Sequence, residues 1–221
     1  MARAGAKPGV AGRQTERLIS GAAKTSMSDA DKRRWNERYA AGEYAGRLHP
    51  TGVLAEWLHR LPRIQALDVA TGTGRNAIFL AQKGYQVDAV DISEVALQRG
   101  EQRAEALGVK VNWIATDLDD TTLPRDGYNL IIAARFLNRS LFPVLIDALA
   151  QGGHLVYETH LMTHAPVSGP RGPYFRVRPQ ELLHLTHELR TLHYFEGLHD
   201  EPGGTRMALA QVIACKGTPG F

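Results

Sequence analysis

The run Leu67-Asp68-Val69-Ala70-Thr71-Gly72-Thr73-Gly74-Arg75-Asn76-Ala77 closes one apolar stretch, and Asp91 closes the next. Gly72 and Gly74 lack Cβ atoms, so the chain can turn tightly between a strand and a helix and let a ligand reach its backbone. The amides that open the following helix then face an anionic group. A carboxylate at the end of the second strand, roughly 20 residues on, is placed to accept hydrogen bonds from both hydroxyls of a ribose. Together these residues imply a nucleoside-binding crevice. The pattern Gly72-x-Gly74-x-x-Ala77 also satisfies the relaxed dinucleotide fingerprint, so an NAD(P)-dependent oxidoreductase stands beside the other readings on glycine spacing alone.

Two further aspartates separate them. Asp68 lies four positions before Gly72, and Asp117 follows the third strand-like run in Thr116-Asp117-Leu118. With Asp91, this spacing resembles the class I S-adenosylmethionine (SAM)-dependent methyltransferases, over about Trp35 to Lys216. Within that superfamily the chain is similar to the tellurite-resistance branch. The residues that carry this are Trp35-Asn36-Glu37-Arg38-Tyr39, Arg135-Phe136-Leu137-Asn138-Arg139, Tyr157-Glu158-Thr159-His160 and Arg178-Pro179-x-Glu181-Leu182. The resemblance implies SAM as cofactor. It implies that Asp68, Ala70, Gly72, Gly74 and Asn76 cup the methionine part, with Asp68 near the ammonium. Asp91 would hold the ribose, Asp117 would accept from the adenine amino group, and Ile92 and Leu118 would cover the ring faces. Trp35 and Tyr39, with Tyr44 nearby, belong to a segment that folds over the cofactor in such enzymes. Their i, i+4 spacing equally suits packing against a sheet, and Asp91 and Asp117 equally suit caps or turns.

For the acceptor, Arg135, Arg139, Tyr157, His160 and His164 follow the fourth strand or lie on or after the fifth, where such sheets place ligands. His160 is the candidate base and Arg135 the candidate anion holder. The alternative is a structural role, with Glu158 as partner of Arg139 and His160. The fourth strand runs into Ala134-Arg135-Phe136-Leu137 and lacks the Pro-Pro-aromatic platform on which nucleic-acid amine methyltransferases seat a flipped base. A small-molecule acceptor is therefore expected, a thiol or a chalcogen oxyanion such as tellurite, with no nucleic-acid partner. A SAM-binding protein without turnover is the remaining non-enzyme reading. No metal is expected: His160 and His164 precede a Gly- and Pro-rich loop over 169–173, and His184 and His187 have no neighbouring ligands.

The elements that must hold these residues alternate. Strand-like runs at 65–69, 85–91, 109–115, 130–134 and 153–159 are separated by helical stretches or turns. Two last runs, at 190–197 and 207–216, flank the turn Asp200-Glu201-Pro202-Gly203-Gly204. The fold class is α/β: a Rossmann-like, doubly wound, mostly parallel seven-stranded sheet with a C-terminal antiparallel hairpin. Helices are expected at 28–39 and 53–61, and one after Ser93 as N-cap with Gly108 as its stop.

Residues 27–221 read as one domain and 1–26 as a disordered basic extension. The extension carries five basic residues against Glu16 alone, which leaves 21 basic and 22 acidic residues elsewhere. The pI near 9.1 is thus no sign of a basic stripe on the folded part. No apolar run reaches the roughly 20 residues that span a bilayer, and the lone Cys215 excludes an internal disulfide. A cytoplasmic location is the expectation.

Overall fold

In a computed structural model, residues 27–201 and 204–219 are described. The expected extension at 1–26 lies outside them. Helix α1 (Met27–Ala40) and the short α2 (Gly52–Trp57) precede the sheet. Then β1 (Gln65–Val69), α3 (Arg75–Gln82), β2 (Gln86–Asp91), α4 (Glu94–Ala106), β3 (Asn112–Ala115) and β4 (Tyr128–Ala134) alternate. There follow α5 (Phe142–Ala148), β5 (Leu149–Leu161), β6 (Arg176–Val177), α6 (Glu181–Leu185) and the hairpin β7 (Arg190–Asp200) and β8 (Arg206–Cys215).

The strand order is β3-β2-β1-β4-β5-β8-β7, with β8 antiparallel to both neighbours and β1 to β5 parallel. The chain reverses direction of travel between β1 and β4, and in open α/β sheets ligands bind at that switch point, outside the carboxyl ends of the strands. Apolar residues cover both faces. Phe142, Leu145 and Tyr157 lie in one buried cluster, and Leu54, Leu80, Val87 and Ile132 in the other.

The sheet has eight strands rather than the expected seven. The addition, β6, pairs in parallel with His160 and Leu161 of β5, and Met162 N donates to Val177 O at 2.8 Å. Two residues give no periodicity to read. The third strand is shorter than expected and the fifth longer. Both boundaries of α4 stand as read: Ser93 Oγ accepts from Ala96 N at 3.2 Å, and Gly108 takes φ +68° just beyond the last turn. Among the described residues no helix is long and apolar enough to cross a membrane.

Candidate functional site

The loop after β1 is tied down by the carboxylates that flank it. Asp68, buried at 1% exposure, accepts from Thr71 Oγ1 at 2.5 Å and from Ala77 N at 3.0 Å. Burial raises its pKa to about 7 despite those two donors. Asp68 thereby clamps the end of β1 to the first turn of α3. Ala70, Gly72 and Gly74 all take positive φ, at 52°, 58° and 74°. Asn76 faces elsewhere, accepting Thr51 N at 3.0 Å and fixing the start of α2.

Asp91 lies at the carboxyl end of β2, nearly buried, and accepts from Gly72 N at 2.8 Å and Ser93 N at 2.9 Å. Burial pushes its pKa up while the amides oppose the shift. The Ile92 amide also favours this carboxylate, and three donors leave part of its acceptor capacity of about four lone pairs for a ligand hydroxyl. Thr116 N donates to Asp91 O at 3.0 Å, which brings Asp117 beside the same edge. Asp117 Oδ1 also accepts Asp119 N at 3.0 Å, a local turn bond. Ile92 and Leu118 are half-buried there, Leu118 against the core.

Helix α1 lies over this edge. Lys32 reaches Glu94 at 2.6 Å, Ser93 Oγ donates to Asn36 Oδ1 at 2.8 Å, and Arg103 donates to Leu48 O at 2.8 Å. Trp35, Tyr39 and Tyr44 gather with ring centroids 5.6 to 6.4 Å apart. Arg38 stacks over Trp35 and Tyr44, and Arg47 over Tyr44 at 4.7 Å. Tyr39 covers the loop itself: a Cβ at Gly72 would stand 2.6 Å from its hydroxyl. The aromatic residues thus meet the glycine loop as well as packing among themselves.

Arg47 and Arg75 escaped the sequence reading. Both are half-buried and in no ion pair among the described residues, and burial together with the Arg135 charge lowers the pKa of each. Arg75 opens α3 directly after Gly74, which was the available signal. Trp113 was also missed: its ring fills the space where Cβ atoms at Gly74 and Gly100 would lie, 2.2 and 2.6 Å from ring carbons.

On the acceptor side, Arg135 takes φ +62° just past β4. Its Nε stands 2.9 Å from Glu158 Oε1, close enough for an ion pair though not aligned as a hydrogen bond, and it also pairs with Glu201. Glu158 in turn accepts from Gln211 Nε2 at 2.7 Å. Glu158 therefore serves Arg135, whereas Arg139 pairs with Glu181 at 2.5 Å. His160 is 5% exposed, with Gly169 packed on its ring and no hydrogen-bond partner at Nδ1. Burial, then the charges of Arg135, Arg176 and Arg47, drive its pKa to about 3. Such an imidazole is neutral near pH 7 and a weak proton acceptor. Tyr157 is inside the core, 4.7 Å from Phe142, and His164 is exposed. Among the described residues no group of three or more His, Cys, Asp or Glu is arranged to hold a metal.

Residues 66–153 match the family model described as a methyltransferase domain. The ribosomal protein L11 methyltransferase of Thermus thermophilus is 30% identical over 111 residues, 49% of this chain and 43% of that protein. The tRNA 5-carboxymethoxyuridine methyltransferase of Escherichia coli is 30% identical over 120 residues, 48% and 46%. The chain thus spans less than half the length of these curated relatives. TehB from Haemophilus influenzae superposes with a TM-score of 0.68 at 20% identity, over 82% of this chain and 67% of that one. Geranyl diphosphate C-methyltransferase from Streptomyces coelicolor A3(2), solved with S-adenosyl-L-homocysteine, gives 0.64 at 15% identity, over 88% and 100%. The antiparallel β8 between β5 and β7 and the matched domain set aside the oxidoreductase reading. Residues 66–153, which hold the loop and the second-strand carboxylate, thus match a methyltransferase domain, and the fold of the chain is similar to those of SAM-dependent methyltransferases.

Proposed function

We propose that this protein moves the methyl group of SAM to a small-molecule acceptor at the carboxyl edge of β4 and β5, in the cytoplasm. The observation that carries the reading is the buried Asp91 carboxylate bonded to the Gly72 amide at 2.8 Å, with acceptor capacity left for a ribose hydroxyl. In this reading Asp117 takes the adenine amino group through its second oxygen, and Ile92 and Leu118 bracket the ring. Asp68 acts on the methionine end through the loop it clamps. Arg47 and Arg75 supply the positive field for the methionine carboxylate, since neither is neutralised by a carboxylate of its own. Trp35 and Tyr39 close over the whole.

SAM brings a methyl group already activated on a sulfonium, transferred in line to a nucleophile as a neutral thioether leaves. What remains for the chain is alignment and exclusion of water. Arg135, held by two carboxylates, fixes the floor of the acceptor space. His160, neutral and buried beside it, offers shape and hydrogen bonding rather than basicity, so an acceptor that already carries an anionic nucleophile fits best. The test is a screen of thiols, metabolites and metalloid salts for SAM-dependent methylation, with calorimetry of S-adenosylhomocysteine (SAH) and NADH alongside. SAH binding with turnover supports the proposal. SAH binding with no turnover of any acceptor favours a SAM-binding protein without catalysis.

A further inference from the structure

Beside the acceptor edge lies a half-open groove of about 550 Å³, lined by Arg139, Met162, Pro173, Tyr174, Arg178 and Glu181. A small inorganic oxyanion occupies little more than a water or two, each with a share of about 30 Å³. The groove instead falls in the range of roughly 300–1,000 Å³ that organic ligands fill.

Its wall is built, not incidental. Arg139 grips Glu181 with two bonds, Nε to Oε1 at 2.5 Å and Nη2 to Oε2 at 3.2 Å. The same guanidinium donates to Tyr174 O at 3.2 Å and Arg176 O at 3.0 Å, which pins the turn Pro173–Phe175. Glu181 also accepts Arg178 N at 2.7 Å. The Arg139 and Glu181 charges cancel, and the side chain of Arg178 is exposed and in no ion pair among the described residues. Tyr174 stands at the rim with 82% of its surface exposed. A flat apolar wall, a thioether from Met162, a neutralised floor and one spare cation define the complement of this groove.

We infer that the groove binds the acceptor as a planar organic anion, an aromatic carboxylate in chemical class, stacked on Tyr174 with its charge at Arg178. The inference rests on the methyltransferase reading and deepens it by naming the acceptor class. Size decides between an organic acceptor and a bare oxyanion, and charge decides between an acid and a neutral aromatic.

The test uses the full-length protein saturated with SAH, titrated calorimetrically with 3,4-dihydroxybenzoate, its methyl ester and selenite. The acid is expected to bind more tightly than either the ester or selenite. Tyr174→Ala and Arg178→Gln, both at exposed positions, should each weaken the acid about tenfold, a loss of about 1.4 kcal/mol, and leave SAH affinity unchanged. For Arg178→Gln the gap between acid and ester should close. Absence of acid binding at millimolar concentration, stronger binding of selenite, or acid binding indifferent to both substitutions would overturn the inference. Failure of SAH itself to bind the parent protein would instead overturn the cofactor reading.

Discussion

Asp91 Oδ2 accepts the Gly72 amide at 2.8 Å, which fixes the carboxyl end of β2 to the turn after β1. The same carboxylate thus shapes the loop and faces the crevice. Asp91→Asn keeps the size and one acceptor oxygen but loses the charge. SAH affinity should fall by about 1.5–3 kcal/mol, the scale of hydrogen bonds to a charged group. Calorimetry measures it, and an affinity equal to the parent's would move the ribose contact to another residue.

The indole of Trp113 occupies the space that side chains at Gly74 and Gly100 would need. Gly100 lies inside α4 with ordinary helical backbone, so Ala is conformationally favourable there and only the clash opposes it. Gly100→Ala should cost about 1–3 kcal/mol by overpacking. Trp113→Leu opens the space, so adding it to Gly100→Ala should cost less than the sum of the two single changes. Urea denaturation of the four proteins in a double-mutant cycle reads the coupling. Strict additivity would show that the ring simply moves aside.

The glycine loop, Asp91 and the terminal hairpin were legible because each follows from local rules: turns that need glycine, a carboxylate at a strand end, and alternation of period two. What lay outside those rules was pairing across the chain. Glu158 is two residues from His160, yet its partner is Arg135, through β4 and β5 lying side by side. Arg139 pairs with Glu181 across 42 positions. Asn76 sits in the loop motif but faces Thr51. Such partners are chosen by sheet order and burial, which no local spacing encodes. The two-residue β6 is invisible for the same reason, since only its pairing to β5 makes it a strand.

His160 gives the fold a particular response to acid. Its pKa falls from 6.5 unfolded to about 3 folded, so between those values the unfolded chain binds the proton and the folded one does not. Its contribution is therefore whole above pH 6.5 and is lost as pH drops toward 3. Asp68 has the opposite sign: its folded pKa is raised to about 7 from 3.8, so that contribution is present at low pH and lost as pH rises through 7. Comparing the parent with His160→Gln isolates the histidine. The variant should gain on the parent as pH falls below 6.5, with a slope of at most about 1.4 kcal/mol per pH unit. Parallel stability curves from chemical denaturation at several pH values would mean that His160 is protonated in the fold.

Arg135 joins stability to the proposed acceptor space, and two substitutions can separate them. Glu158 is 2% exposed, and without Arg135 its remaining side-chain hydrogen bond among the described residues comes from Gln211. Arg135→Ala should destabilise by about 3–5 kcal/mol, the cost of leaving a buried charge unpaired. Removing both charges with Arg135→Met and Glu158→Gln should recover most of that loss, because the desolvation cost disappears with the pair. Turnover then discriminates. If Arg135 borders the reacting acceptor, the restored double variant binds SAH like the parent and transfers methyl poorly, since the lost interaction acts at the transferring methyl and not at the adenosine. If the guanidinium only supports the fold, activity returns together with the melting temperature, and the acceptor must be positioned by other residues at the ends of β4 and β5.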